Sequence, residues 1–370
     1  MDTLRIFLRC MLAALVAVAG VAYGEFRPSG KLEIHYINVG QGGCTLIIGP
    51  DGTRILYDFG AFDGRRDIVP YLRDVVKLDP SDGIQFAIVS HRDRDHYSGY
   101  RAVVEAGYNV LVANYDSGSP KLATTVQSLW LNPAKKTHAG AALPAPVGLA
   151  IALGDGAEAL IVAANGQVWG EPPIKVSNEN DRSVVLFIHY RNFQYVLDGD
   201  LGAGPEKCTE HQTTQLDVET RVAHTLLNHH LITPENGVDV LHIAHHGSES
   251  STSAAYFNLM KPEVGLISVG QKNSTYLHPR EDVVDKVLIG PHRPSCVTAP
   301  PVKDLFQTED GEKGCSSTGC TSFTGVPIGD IRLVTDGKTK YEINGSNRVH
   351  GGRALGGDGK IWSFKVDEVR

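Results

Sequence analysis

Short apolar runs alternate with glycine-rich turns over the first hundred residues, a pattern typical of β-strands. The strands predicted there span residues 32–38, 44–48, 53–58 and 84–90. Apolar residues at helical spacing predict a helix over 67–77, and a second helix is expected at 97–106. The segment 114–156 is rich in Ala, Gly and Pro and has little periodicity, so we expect loops with short helices there.

The second half of the chain repeats the alternation of strands and helices. Strands are predicted at 183–190, 193–198, 238–244, 264–269, 331–334 and 339–343. Helices are predicted at 213–231, 253–260 and 280–289. Strand-rich segments flanked by helices in both halves predict two packed β-sheets with helices outside them, and nothing in the pattern demands a second domain.

Side chains that ligate metals follow the ends of predicted strands. His91, Asp93, Asp95 and His96 lie within six positions directly after the strand 84–90. Similar residues occur at three further places along the chain: Asp198 and Asp200, then His242, His245 and His246, then His278. Imidazoles and carboxylates together bind divalent cations, and the carboxylates favour harder ions. The alternative is a solvated loop whose two intervening arginines neutralise the aspartates, but the repetition of such clusters favours a metal site.

The order of these motifs resembles that of the metallo-β-lactamase superfamily, whose usual signature is His-x-His-x-Asp-His. The His-x-Asp-x-Asp-His version here is similar to the branch that contains the hydrolase domain of ComEC-type DNA-uptake proteins. Companion motifs are Ile37-Asn38-Val39-Gly40-Gln41-Gly42, Asp58, residues 180–183, Gly199-Asp200, His245-His246-Gly247-Ser248 and His278-Pro279. The resemblance covers residues 32–343. It implies an α/β fold, an αββα sandwich of two mixed β-sheets flanked by helices, with a metal site where strand ends meet.

The resemblance also implies a site for two divalent metal ions, zinc or manganese, with magnesium as a further option. The implied ligands are His91, Asp93, Asp95, His96, Asp200, His245 and His278. His91 and Asp93 would serve one ion and Asp95 and His96 the other, with Asp200 between the two ions.

The resemblance implies catalytic roles for Asp95, Asp200 and His246. The two aspartates would orient a metal-bound hydroxide, and His246 or water would protonate the leaving group. Whether His245 or His246 faces the metal stays open, and the other of the two would contact substrate or pack. Asp58 is expected to orient ligands, with an ordinary turn aspartate as an equal alternative.

Three features depart from the branch. Gly43 stands where the branch usually has an aspartate, so any catalytic role of that carboxylate is absent. Residues 312–327 look like an insertion, and its Cys315 and Cys320 are expected to form a small disulfide ring rather than a zinc site. The pairing of Cys44, Cys208 and Cys296 stays open. The transmembrane channel part of DNA-uptake proteins has no counterpart, so a free-standing hydrolase is expected.

The amino terminus has the features of a secretory signal peptide. Arg5 and Arg9 precede an apolar stretch over 10–22, and Ala22-Tyr23-Gly24 offers small residues for signal peptidase. We therefore assign 1–24 to a signal peptide, 25–345 to the hydrolase domain and 346–370 to a glycine-rich tail. An uncleaved anchor is the alternative, although the stretch is short for a membrane span. The product is expected to be exported, periplasmic or secreted, with no transmembrane segment after cleavage.

Charge and ligand chemistry restrict the substrate. The chain has 35 basic and 42 acidic residues and a net charge of −7, which predicts no general DNA-binding surface. A small-molecule or nucleic-acid phosphodiester is the expected substrate, cleaved by a metal-activated water. Hydrolysis of a lactam, lactone or thioester is the alternative, and the lost second histidine of the usual signature disfavours it. A non-catalytic metal-binding protein is a third alternative, which the intact ligand set disfavours.

Overall fold

The computed structural model describes residues 26–61, 65–209, 213–271, 276–311, 325–346 and 360–366. The predicted signal peptide and the predicted Cys315–Cys320 disulfide lie outside these ranges. Among the helices that fall within them, none has the length and apolar character needed to cross a membrane.

The described strands form two mixed β-sheets of nine strands each. In chain order the strands are β1 (Leu32–Tyr36), β2 (Thr45–Ile48), β3 (Arg54–Tyr57), β4 (Ile84–Val89), β5 (Val110–Asp116), β6 (Leu143–Pro144), β7 (Ala150–Gly154), β8 (Ala157–Ala164), β9 (Gln167–Val168), β10 (Val185–Tyr190), β11 (Phe193–Leu197), β12 (Val240–His242), β13 (Val264–Ile267), β14 (Asp304–Gln307), β15 (Val326–Pro327), β16 (Ile331–Thr335), β17 (Lys340–Gly345) and β18 (Ile361–Lys365). The first sheet has the order β18-β17-β16-β1-β2-β3-β4-β5-β6. The second has the order β15-β14-β13-β12-β11-β10-β8-β7, with β9 paired to β8.

The helices in the described ranges are short. The α-helices are α1 (Arg65–Pro70), α2 (Arg94–Tyr97), α3 (Tyr100–Glu105), α4 (Thr124–Val126), α5 (Asn132–Ala134), α6 (Glu219–Asn228), α7 (Ala254–Met260) and α8 (Glu281–Val283). Single π-helical turns span Tyr71–Val75, Gln127–Leu131 and Val284–Leu288, and 3-10 turns span Pro80–Asp82, Asn180–Arg182 and His245–Gly247. Isolated helices of this length are marginal in water, so packing against the sheets must stabilise them.

Three apolar cores lie between the layers of the molecule. The core between the sheets joins Tyr57 and Ile88 of the first sheet to Leu186 of the second. A second core packs α6 and α7 against the second sheet, and a third packs α3 and Trp130 against the first. The order of layers is helix, sheet, sheet, helix. The expected αββα sandwich of two mixed sheets is therefore confirmed.

Parallel strands position the loops that carry the candidate ligands. In the first sheet β3, β4 and β5 are parallel, and in the second β11, β12 and β13 are parallel. β4 is buried along its whole length, as expected for a central parallel strand. The loops after β4 and β11 meet across the two sheets, where His91 faces Asp200.

The middle of the chain contains more β-structure than its composition predicts. The expectation of loops over 114–156 was wrong where β5 ends and where β7 runs, and the sequence also missed β8. The alanine-rich β8 has low intrinsic β propensity, which explains the miss. Its pairing with both β7 and β10, and its burial between them, stabilise it as a strand.

Two other segments differ from their predicted extent. The predicted helix 213–231 begins only at Glu219, because the residues before it bind elsewhere: the Leu216 N–H donates to Asp181 at 3.0 Å. β18 lies within the segment assigned to a glycine-rich tail and pairs antiparallel with β17. Phe364 of this strand stacks on Tyr341 with ring centroids 5.0 Å apart.

A disulfide joins Cys208 to Cys296, which are 88 positions apart in the sequence. It links the loop that follows β11 to the segment before β14. Cys44 is a buried free cysteine, and burial raises the pKa of its thiol well above the usual range. The structure thus supplies the pairing that the sequence left open.

Candidate metal centre

The loop after β4 begins with a fixed backbone. The Ser90 N–H donates to Asp58 Oδ1 at 2.7 Å, and the Ser90 hydroxyl donates to Asp58 Oδ2 at 2.8 Å. Asp58 has a φ of 59°, a left-handed conformation that aspartate and asparagine adopt more readily than most residues. These contacts fix the start of the loop that carries His91, and α2 then carries Asp95 and His96.

Asp200 lies at the centre of the site. Its Oδ2 is 3.2 Å from Nε2 of His96 and 3.9 Å from Nε2 of His91. The Nε2 atoms of His245 and His246 each lie 3.7 Å from the same oxygen. Asp200 Oδ1 is buried and has no hydrogen-bond partner within the described ranges. Four imidazoles from two separate loops therefore converge on one carboxylate.

In two of these imidazoles, Nδ1, the ring nitrogen that does not face Asp200, donates a hydrogen bond to an oxygen acceptor. Nδ1 of His96 lies 2.8 Å from Asp58 Oδ2, and Nδ1 of His246 lies 2.6 Å from the Ser268 carbonyl oxygen. A carboxylate and a carbonyl only accept, so Nδ1 carries a proton in both rings. Nε2 is then the atom that faces Asp200 and can bind a proton or a metal ion.

The same arrangement extends to the other two imidazoles. Nδ1 of His91 lies 2.9 Å from Ser90 Oγ, whose own proton goes to Asp58. Nδ1 of His245 lies 2.8 Å from Ser250 Oγ. In metal-ligating histidines, the ring nitrogen that does not bind the metal usually makes a hydrogen bond, and this bond orients the ring.

One set of donors is close enough to share a single cation. Asp95, His96, Asp200 and His246 each offer one ligand atom, and these atoms all lie within 4.8 Å of one another. His246 Nε2 and Asp200 Oδ1 are buried without a hydrogen-bond partner in the part of the chain that the structure describes. Buried polar atoms are normally paired, so these orphaned atoms indicate a shared ligand. Two imidazoles and two carboxylates fit a divalent cation.

His91 and Asp93 lie beside this group and form part of a second set of donors. His91 Nε2 is 3.6 Å from Asp93 Oδ2, and it has no hydrogen-bond partner among the described residues. Both sets share Asp200, as expected if that carboxylate lies between two ions. The assignment of individual ligands to individual ions stays a prediction.

The electrostatics of the centre favour added positive charge. Burial alone would raise the pKa of Asp200, but the neighbouring imidazoles of His96 and His246 lower it well below the usual range. Burial would lower the pKa of His96, but the carboxylates of Asp200 and Asp58 raise it well above the usual range. Without a metal ion, His96 therefore holds a proton beside Asp200, at a position where a bound cation would supply the charge instead.

The turn that carries His245 and His246 has an uncommon backbone. The two residues have φ values of 51° and 56°, and such left-handed conformations cost about 1–3 kcal/mol in non-glycine residues. His246 is buried and belongs to the four-residue group, whereas His245 is partly exposed and lies 3.3 Å from the Asn180 amide nitrogen. The geometry favours His246 as the ligand, and the ligand role of His245 and the proton-donor role of His246 stay predictions.

His278 lies next to the four-residue group rather than in it. Its ring centroid is 5.4 Å from that of His245 and 5.9 Å from that of His246, and its Nδ1 is 3.4 Å from Gln41 Nε2. Burial and the two neighbouring histidines lower the pKa of His278 to about 3, so its imidazole is neutral at physiological pH. Its predicted role as a metal ligand stays a prediction.

Two glycines allow close approach around the centre. Gly199 precedes the central carboxylate with a φ of 58°, and a Cβ there would lie 2.8 Å from the Ser90 Cβ. At Gly43, which replaces the aspartate of the related branch, a Cβ would lie 3.2 Å from both Asp58 Oδ2 and His96 Nδ1. A side chain at position 43 would therefore press on the Asp58–His96 pair.

Asp198 lies next to the centre in sequence but faces a different set of groups. Its Oδ1 is 2.7 Å from Nδ1 of His242, and its Oδ2 accepts from the Tyr256 hydroxyl at 3.1 Å. Two of the chain's ligand-type residues, Asp198 and His242, thus bind each other behind the site.

Arg92 pairs with Asp116 and not with Asp93, the residue that follows it. Its buried guanidinium binds Asp116 Oδ2 at 2.9 and 3.1 Å, so the solvated-loop interpretation of the motif is wrong for this arginine. Asp93 Oδ1 instead contacts the ammonium group of Lys121. Sequence reasoning missed Lys121 because it lies in the aperiodic middle segment, and no motif there signalled a role.

Comparison with known proteins supports the resemblance inferred from the motifs. No protein-family model matches the sequence. Recombination protein 2 of Haemophilus influenzae is 22% identical over 294 residues, which make up 76% of this chain and 29% of that protein. ComE operon protein 3 of Bacillus subtilis is 29% identical over 108 residues, 29% of this chain and 11% of that protein. This chain therefore spans less than a third of the length of either relative.

A solved structure with a similar course of the chain is that of the metallo-β-lactamase fold protein YhfI from Bacillus subtilis. The two are 11% identical, with a TM-score of 0.39, over 64% of this chain and 86% of that one. The His/Asp cluster described above indicates divalent metal binding without identifying the metal. The two mixed sheets flanked by helices agree with the αββα sandwich that the motifs imply, and the sequence is similar to Recombination protein 2 and ComE operon protein 3.

Proposed function

We propose that the protein is an exported, metal-dependent hydrolase that cleaves phosphodiester bonds. The observation that supports this most strongly is the convergence of four imidazole Nε2 atoms on Asp200, each ring held by a partner at Nδ1. Imidazoles held in this way are suited to ligate divalent metals. With metal ions held by these residues, a bound water would be the nucleophile and no serine or cysteine nucleophile would be needed.

The residues that would hold two ions fall into two sets that share Asp200. One set comprises Asp95, His96, His246 and Asp200, and the other comprises His91, Asp93 and Asp200. When bound, the ions would lower the pKa of a water molecule to yield hydroxide near neutral pH and would stabilise transition-state charge. Asp95 and Asp200 would orient the attacking oxygen through hydrogen bonds. The partly exposed His245, beside Asn180, would face the substrate.

The donor set favours a phosphodiester over a carbonyl substrate. Asp93, Asp95 and Asp200 supply oxygen donors, which suit manganese and magnesium as well as zinc. The net charge of −7 gives the protein no general attraction for nucleic acid, so a nucleic-acid substrate would be bound by local contacts. The relatives are much longer than this chain, so their similarity assigns it no substrate, and we propose a small-molecule or nucleic-acid phosphodiester.

Export is supported by the signal-like amino terminus and by the Cys208–Cys296 disulfide, since such bonds persist in oxidising compartments. Protein recovered from its native host should begin near Glu25. A membrane-bound product that begins at Met1 would contradict cleavage of a signal peptide.

The proposed activity is tested with metal-loaded protein on bis-p-nitrophenyl phosphate, single-stranded DNA and nitrocefin. We expect hydrolysis of at least one phosphodiester and none of nitrocefin. Elemental analysis of the same preparation gives the metal content, and folded Asp200→Asn serves as the inactive control. Hydrolysis of nitrocefin alone would point to carbonyl chemistry. Metal-replete protein that cleaves none of the three would overturn the proposal.

A further inference from the structure

The segment 116–121 is held against the metal-binding loop by polar contacts. The buried guanidinium of Arg92 binds Asp116 and also donates to the carbonyl oxygens of Ser119 and Lys121. Glu179 joins the same two segments, because its Oε1 accepts from the Arg92 N–H at 2.8 Å and its Oε2 from the Ser119 hydroxyl at 2.6 Å. The backbone around Lys121 is therefore fixed relative to the candidate ligands.

This arrangement presents one ammonium group at the edge of the site. Lys121 Nζ contacts Asp93 Oδ1, while Asp93 Oδ2 faces His91 Nε2 at 3.6 Å. The side chains of Lys121 and Asp93 are 42% and 35% exposed, so the pair borders solvent. An ammonium group has three N–H donors, and Asp93 is its only side-chain partner within the described ranges.

The contribution of the Lys121–Asp93 ion pair to folding stability does not explain why the backbone at Lys121 is held so firmly. A pair as exposed as Lys121–Asp93 contributes little to folding, because water screens it. The contacts of Arg92 and Glu179 nevertheless fix the backbone from which the lysine extends. The Lys121 ammonium group therefore extends from a fixed backbone beside the candidate metal centre, and its remaining N–H groups can face solvent. Such a group is suited to bind an anionic ligand that enters from solution. Lysine binds phosphate as a point charge.

We propose that Lys121 is a substrate-binding residue whose ammonium group holds a non-bridging oxygen of the substrate phosphate while it keeps its contact with Asp93. The inference rests on the proposed function for the chemistry of the substrate. A charge-assisted hydrogen bond of this kind corresponds to roughly ten- to hundredfold in affinity. It would orient the phosphodiester with respect to the ligand set and add a local cation to an acidic protein.

The test compares metal-loaded wild type with Lys121→Ala and Lys121→Arg. Lys135→Ala is the matched control, because Lys135 is exposed and forms no ion pair in the described part of the chain. Binding of inorganic phosphate is measured by calorimetry at two salt concentrations, and metal content by elemental analysis. KM and kcat are measured with bis-p-nitrophenyl phosphate.

We expect Lys121→Ala to weaken phosphate binding and to raise KM by about tenfold or more, with metal content and fold unchanged. Lys121→Arg should retain part of the affinity, and Lys135→Ala should behave as wild type. Unchanged phosphate affinity in Lys121→Ala would overturn the inference. Loss of metal with unchanged KM would also overturn it, because Lys121 would then only position Asp93. If the wild type cleaves no phosphodiester, the proposed function fails, but phosphate calorimetry still decides the role of Lys121.

Discussion

Asp58 binds no metal ion in the proposed arrangement, yet its replacement by asparagine should weaken metal binding. Its carboxylate accepts from Ser90 twice and from His96 Nδ1 at 2.8 Å. Asparagine has nearly the same shape and tolerates the same left-handed backbone. Its amide group can still accept from the Ser90 N–H, but its NH₂ group would then face His96 Nδ1. That contact favours a His96 ring whose proton sits on Nε2, the atom that would otherwise bind metal.

The size of the effect follows from these contacts. Loss of a partner that orients a metal-ligating histidine typically lowers metal affinity about 10- to 100-fold, which corresponds to about 1.4–2.7 kcal/mol. The metal-free protein should also lose about 1.5–3 kcal/mol of its free energy of unfolding, because the contact between the Asp58 carboxylate and the protonated His96 ring is a charged hydrogen bond. Metal affinity is therefore compared only between proteins whose unfolding curves show that they are folded under the conditions of the assay.

Competition with a chromogenic chelator measures the metal affinity of wild type and Asp58→Asn, and denaturant unfolding measures their stability. Asp155→Asn is the control for the backbone, because Asp155 also has a positive φ, 51°, but lies in the turn between β7 and β8. Its metal affinity should equal that of wild type. If folded Asp58→Asn bound metal as tightly as wild type, the argument that Asp58 sets the protonation of His96 would be wrong.

Three further substitutions test other parts of the centre. Asp95→Asn should reduce hydrolysis about a hundredfold or more with manganese, magnesium and zinc alike, and full activity in a variant shown to be folded by circular dichroism would refute a catalytic centre there. Asp93→His should shift metal preference toward zinc with the fold intact, because it replaces an oxygen donor by an imidazole; activity titrations with each metal measure this. His278, whose pKa is lowered from 6.5 to about 3, takes up a proton below pH 6.5 only when the chain unfolds, so stability falls as pH drops toward 3. Metal-free His278→Gln should lose less stability over that range than wild type, and parallel unfolding curves would contradict this.

The candidate site was predictable where its residues are contiguous or follow a recognisable strand. Residues 91–96 are contiguous in the loop after β4 and in α2, and the resemblance identified Asp200 through the motif Gly199-Asp200, which follows an apolar strand. The partners that fix ring orientation were not predictable. The Ser268 carbonyl reaches His246 from another strand end, and a backbone oxygen leaves no signature in the sequence. Lys121 was missed for a similar reason, because it reaches Asp93 through an irregular segment.

The fold was predictable where β-branched and aromatic residues mark buried strands. β4, β10, β11 and β13 are rich in such residues, and their predicted bounds agree with the structure within two residues. β8 was missed because alanine favours no sheet by itself, and its strand character comes from burial against its neighbours. β18 was missed because the glycine-rich sequence before it suggested that the sheet had already ended.

The Cys208–Cys296 disulfide bears on how the protein should be produced for study. The bond closes a covalent ring that contains the turn of His245 and His246 and also His278. For a ring of this length, the chain-entropy model gives a stabilisation of about 4–5 kcal/mol, and it acts on the unfolded chain. Protein made in a reducing cytoplasm would lack the bond and would hold three of its candidate ligands on a less stable segment. Thiol titration should therefore accompany every measurement of metal content, since a low metal content could otherwise reflect the redox history of the sample.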